Sequence, residues 1–126
     1  MRIAASIAAL GCCFALHAGR ADAQESPAKL DTTAELLAYC DNEGPVGEVR
    51  DGQNFCDGFI LGNGLLYLEQ VRAGSIEPMA CAEREPTLAE MRSAFVAWAE
   101  ANPEHLQDKP VDGFWRAMAA TYPCPE

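Results

Sequence analysis

The 126-residue chain carries 9 basic and 19 acidic residues, a formal net charge of −10 at pH 7. That length bounds it to one domain, and that charge argues against nucleic acid or an anionic membrane surface as a ligand. A basic protein surface is the partner the charge favours.

In chain order, Arg2 gives a positive start, Ile3 to Leu16 form an apolar run, and Ala21-Asp22-Ala23 is a small-residue cleavage site. This pattern predicts a signal peptide over 1–23 and a single helical domain over 24–126. A rival reading makes Leu10-Gly11-Cys12 a lipidation site, but Ala9 stands where a large aliphatic residue is wanted. The apolar run is shorter than the ~20 residues a membrane span needs, so no membrane anchor is expected. Without Arg2, Arg20 and Asp22 the remainder holds 7 basic and 18 acidic residues, a net charge of −11.

Four cysteines follow the leader: Cys40, Cys56, Cys81 and Cys124. An even number in an exported chain of this size reads as two disulfides. Zinc would call for close C-x-x-C pairs, and here the nearest cysteines are sixteen apart. No metal and no cofactor are expected.

Thr32-Thr33-Ala34-Glu35 is a capping box that opens a short helix ending near Cys40, before the breakers Gly44-Pro45. From Asp41 to Asn54 the pattern predicts a loop, with Asp41, Glu43, Glu48 and Asp51 as candidate partner-binding residues. The next stretch, around Phe55-Cys56-Asp57-Gly58-Phe59-Ile60-Leu61-Gly62, organises the chain. Apolar or small residues at 55, 56, 59, 60, 62, 63 and 66 have helical spacing. Gly58 and Gly62 each cost about 1 kcal/mol against alanine, which predicts a close helix crossing over them. Gly74 suits the C-terminal cap of this helix.

Ser75 to Pro86 reads as a second connector, with Glu77, Glu83 and Glu85. Thr87-Leu88-Ala89-Glu90 repeats the capping box and opens a third helix with Leu88, Met91, Phe95 and Trp98 on one face. Asn102-Pro103 ends it, and a fourth helix starts near Pro110 with Val111, Phe114, Trp115, Met118 and Tyr122 as its inner stripe. No run alternates with period two, so the expected fold is all-α: a small four-helix domain with two disulfides.

Helix geometry separates the three cysteine pairings. Cys40 ends the first helix and Cys56 begins the second, so an antiparallel turn brings them together. Cys81 precedes the third helix and Cys124 follows the fourth, which meets it at the other end of the bundle. Cys56 to Cys81 is disfavoured, because a helix of roughly 26 Å separates Cys56 from Ala73 and the following connector barely spans that distance. Cys40–Cys56 and Cys81–Cys124 is the expected connectivity.

Little is left for catalysis. His105 is the one histidine after the leader and reads as an exposed turn residue, and no metal-protease, phosphate-loop or calcium-loop pattern occurs. The expectation is a binding module, not an enzyme.

Several motifs, in order, resemble those of the Rap/Tai immunity proteins of type VI secretion. They are Glu35-Leu36-Leu37-x-x-Cys40, Cys56-x-Gly58-Phe59-Ile60-x-Gly62, Cys81 before the third helix, Trp98-x-x-x-Asn102-Pro103-Glu104, and Ala117-Met118-x-x-x-Tyr122-Pro123-Cys124. The chain departs from that pattern at Asn63-Gly64, where bulkier or acidic residues are expected. The resemblance implies a periplasmic protein that binds and inhibits a cell-wall-degrading effector of amidase or muramidase type. Its partner would be a protein toxin with a basic cleft, met by the acidic loops. The alternatives are a periplasmic stress chaperone, an orphan helical binding module, or a small hydrolase. An apolar face left exposed on a four-helix unit would further suit a homodimer.

Overall fold

The computed structural model describes residues 30–41 and 46–125, with side chains from 51 onward in the second segment. The proposed signal peptide and Glu43 lie outside the described residues. The architecture is all-α, with helices α1 (Thr33–Cys40), α2 (Val46–Arg72), α3 (Leu88–Ala101) and α4 (Pro110–Thr121). A single 3-10 turn, Pro103–His105, joins α3 to α4.

Local chemistry starts α1 and α3. The Thr32 hydroxyl accepts from the Glu35 amide at 3.2 Å while the Glu35 carboxylate accepts from the Thr32 amide at 3.1 Å. Thr87 and Glu90 repeat the exchange at 3.2 and 2.8 Å. Each box satisfies amides that a helix start leaves without partners. Pro110 occupies the first turn of α4, where its missing N–H costs nothing. Gly74, at φ 66°, takes the left-handed conformation that closes α2.

The expected loop from Asp41 to Asn54 is corrected: α2 already begins at Val46 and runs for 27 residues, about 40 Å. Gly47 and Gly52 lower the local helix propensity and hide this start from the sequence. Gly52 has a tertiary reason, since a Cβ there would lie 3.0 Å from the Tyr39 carbonyl oxygen of α1. The close crossing expected at Gly58 and Gly62 is also corrected, because neither has an atom within 4 Å of where a Cβ would stand.

The core joins all four helices through Leu36, Cys40, Cys56, Ile60, Phe95, Ala99, Phe114, Ala117 and Met118, all essentially buried. A large side chain buried this way contributes about 1.5–3 kcal/mol. Phe114 meets Phe59 edge-on at 5.9 Å and Phe95 at 6.2 Å. Two expected core positions face outward instead, Val111 on α4 and Leu66 on α2, while Gly113 and Ala117 take the inner face of α4.

Both disulfides pair as expected, Cys40–Cys56 and Cys81–Cys124. One premise behind the pairing changes: Cys56 lies ten residues inside α2, so the first bridge staples the end of α1 to the body of α2.

The connector between α2 and α3 lacks regular structure yet is pinned. The Tyr67 hydroxyl accepts from the amides of Met79 (2.9 Å) and Ala80 (3.3 Å) and donates to the Ala80 carbonyl. The Tyr67 ring packs on Trp115 at 4.3 Å. Further on, the Cys81 amide donates to the Tyr122 carbonyl at 2.7 Å, beside the Cys81–Cys124 bridge.

Candidate functional site

Of the sequence-predicted acidic residues, the described ones, Asp41, Glu48 and Asp51, lie at the end of α1 and on the first turns of α2, not on one loop. Asp41 is the C-cap of α1, and its amide donates to the Leu37 carbonyl at 2.8 Å. Glu48 and Asp51 stand three residues apart on the first turns of α2, where Asp51 is exposed.

Three contacts tie α1 to α2 beside them. The Cys40–Cys56 bridge ties the junction from behind, the Tyr39 and Phe55 rings meet at 4.4 Å, and Gly52 lets α2 approach the α1 backbone. A surface whose backbone is held in advance loses less entropy when a partner docks.

Asp41 also lines a cleft of about 200 Å³ with Cys40, Arg92, Ser93, Val96, Ala97 and Glu100. The structure therefore brings Asp41 together with Glu100 and Arg92 of α3, which sequence reasoning missed. Arg92 donates to Asp57 of α2 at 2.6 Å, with its side chain only 18% exposed. The paired residues are 35 apart in sequence, so no local spacing signals the contact.

Of the second acidic segment, Glu83 lines a shallow cleft of about 430 Å³ with Cys81, Arg84, Glu90 and Tyr122 among others, while Glu77 and Glu85 do not line it. Arg84 is occupied by the Glu90 carboxylate. That hydrogen bond, then those from the Thr87 amide and hydroxyl, lower the Glu90 carboxyl from the ordinary 4.5 to about 2.

His105 lies in the α3–α4 turn as expected but is only part-exposed. Its ring stacks on Trp98 at 5.5 Å, and Nδ1 lies 2.7 Å from the Asp108 carboxylate. The Asp108 carbonyl in turn accepts from the Thr33 amide at 2.9 Å, so this pair fastens the α3–α4 turn onto the start of α1. Among the described residues no group of His, Cys, Asp or Glu is placed to hold a metal ion, and no helix is long and apolar enough to cross a membrane.

The model of the Rap1a immunity proteins matches residues 32–124. The chain belongs to the Rap1a immunity protein family. The matched span runs from the Thr32 cap to Cys124, and so takes in all four helices and both disulfides. Comparison with curated proteins finds no match, and neither does comparison with solved structures. Membership implies binding to a cognate effector, and the helical, disulfide-bonded fold is consistent with an exported Rap1a immunity protein.

Proposed function

We propose that this Rap1a immunity protein is a non-enzymatic inhibitor that binds a type VI-secreted cell-wall hydrolase, an amidase or muramidase, in the periplasm after losing residues 1–23. The observation that carries the reading is the family match over 32–124, which spans the whole helical domain. Charge supports the mode of binding. A chain of net charge −10 is drawn to a basic cleft, and charge complementarity of this kind raises association rate more than it raises final affinity.

The interface is assigned to the α1–α2 junction, with Asp41, Glu43, Glu48 and Asp51 as the contacting acids. The Cys40–Cys56 staple, which joins the end of α1 to α2 next to Asp41, supports this choice. Plugging the cleft sterically would suffice for inhibition, with no chemistry performed by the immunity protein.

The test expresses individual type VI amidase and muramidase domains in the periplasm of otherwise unprotected cells, with and without this protein. Protection against at least one is the expected result, and protection against none overturns the reading. A variant with Glu43→Lys, Asp51→Lys and Glu48→Gln then locates the interface. Glutamine is used at 48 because a lysine in the first turn of α2 would oppose the helix dipole. The variant should keep its helicity, associate more slowly with the protected-against hydrolase and lose protection. Full protection by the variant moves the interface elsewhere.

A further inference from the structure

The two bridges stand in different surroundings. Cys40 and Cys56 are essentially buried in the core. Cys81 and Cys124 are part-exposed and join two segments outside the helices, the connector before α3 and the tail after α4. Cys81 also lines the cleft of about 430 Å³ that it shares with Arg84, Glu90, Tyr122 and Pro123. A thiolate can therefore come up to the Cys81 sulfur from solvent, and such access is what exchange with a thiol requires.

Opening this bridge leaves its two ends held by other bonds. The Cys81 amide donates to the Tyr122 carbonyl at 2.7 Å, and the Tyr122 amide closes α4 by donating to the Met118 carbonyl at 2.8 Å. Just before Cys81, the Tyr67 hydroxyl accepts from the Met79 and Ala80 amides and donates to the Ala80 carbonyl, with its ring packed on Trp115. Neither hold uses a sulfur atom. The Cα atoms of Cys81 and Cys124 stand 4.7 Å apart, so two thiols on this backbone stay within reach of each other. Cys124 Sγ lies 3.5 Å from the Pro78 carbonyl, an acceptor already in place for the Cys124 thiol. Meanwhile Cys40–Cys56 continues to tie α1 to α2 inside the core.

We infer that Cys81–Cys124 is a reversible thiol–disulfide exchange site for a dithiol protein of the C-x-x-C class, with Cys81 as the sulfur attacked. The first thiolate of the dithiol bonds to Cys81 Sγ from the cleft, and the bond between the Cys81 and Cys124 sulfurs breaks. Cys124 leaves as a thiolate, takes a proton and donates to the Pro78 carbonyl. The second thiolate of the dithiol then attacks the first, releasing Cys81, which takes a proton in turn. Two electrons reduce the bridge to two thiols while the dithiol is oxidised to its disulfide, and the reverse sequence restores the bridge. The inference goes beyond effector binding and does not depend on it.

Equilibration of the exported protein in graded mixtures of reduced and oxidised dithiothreitol, followed by alkylation and peptide mass mapping, tests this. Cys81–Cys124 should open in a separate first step, at a ratio of reduced to oxidised reagent at least about tenfold below that for Cys40–Cys56. Helicity should persist through that step, and return to oxidised reagent should restore the same pair. Tyr67→Phe keeps the ring and loses the hydroxyl, so the thiols are held less closely. It should lower the ratio for the first step by a further factor of about three or more. Thioredoxin with its second active-site cysteine changed to serine should be trapped by acid quenching as a mixed disulfide on Cys81. Opening of both bridges in one step, loss of helicity in the first step, a Tyr67→Phe protein that titrates as wild type does, or a mixed disulfide on Cys124 instead overturns the inference.

Discussion

Thr33 and Gly113 touch so closely that no side chain fits between them: a Cβ at 113 would fall 2.9 Å from the Thr33 Cβ and 2.5 Å from its Cγ2. Thr33 is fully buried at the start of α1, and its hydroxyl has the Asp108 and Lys109 carbonyls each at 3.2 Å. The amides of Thr33 and Ala34, two of the donors that a helix start leaves unpaired, reach the Asp108 and Leu106 carbonyls at 2.9 Å. Gly113 is thus the point at which α4 is allowed near enough for the α3–α4 turn to cap α1.

Gly113→Ala should therefore destabilise the protein, although alanine is the better helix former by about 1 kcal/mol. Thr33 cannot yield without giving up its hydrogen bonds, and overpacking a tight site costs about 1–3 kcal/mol. Thr33→Ser removes the Cγ2 methyl but keeps the hydroxyl that would lie nearest the added Cβ, so it should restore only a small part of the loss in the double variant. Gly62→Ala is the contrast: it should add up to about 1 kcal/mol, because nothing lies over it. Urea melts of the set decide the matter, and a Gly113→Ala protein as stable as wild type would remove the contact from any structural role.

The Arg84–Glu90–Thr87 cluster gives a pH dependence with a definite sign. The folded state holds the Glu90 carboxyl at about 2, below its ordinary 4.5. Its contribution to stability is complete above about 4.5 and is lost as pH falls toward 2. Wild type should melt higher than Glu90→Gln at neutral pH, and the gap should narrow as pH falls through that window. A gap that stays constant down to pH 2 would show that the carboxylate charge contributes nothing.

The two disulfides should differ in their response to reductant. Cys40 and Cys56 are essentially buried, whereas Cys81 and Cys124 are part-exposed at the edge of the fold. Thiol–disulfide exchange needs access for the attacking thiolate. Brief treatment with reductant followed by alkylation and peptide mass mapping should label Cys81 and Cys124 first. Loss of that bridge alone removes a constraint worth about 4 kcal/mol in the chain-entropy model, so the partly reduced protein should unfold at lower urea. Equal labelling of all four cysteines would contradict the burial difference.

Much of the fold was legible because its signals act over a single turn. Thr32 with Glu35, Thr87 with Glu90, Pro110 and Gly74 mark ends of helices by chemistry among near neighbours, and all four stand where the sequence places them. The periodic Phe95 and Phe114 faces were legible for the same reason. The candidate site was legible only in part. Asp41 was found, but Glu100 and Arg92 beside it come from another helix and carry no local mark.

By itself the sequence determined four helices, two cysteine pairs, a net charge of −10 and a family resemblance that the family match over 32–124 bears out. Tertiary structure alone decided which glycines lie at close contacts, that α2 starts at Val46, and that Val111 and Leu66 face outward. Glycine reads the same in sequence whether it meets a neighbouring backbone, as Gly52 meets Tyr39, or open space, as at Gly58 and Gly62. Helical periodicity names a face but not what covers it, because that depends on where the other three helices settle once the shared core of Phe95, Phe114 and Ile60 has formed.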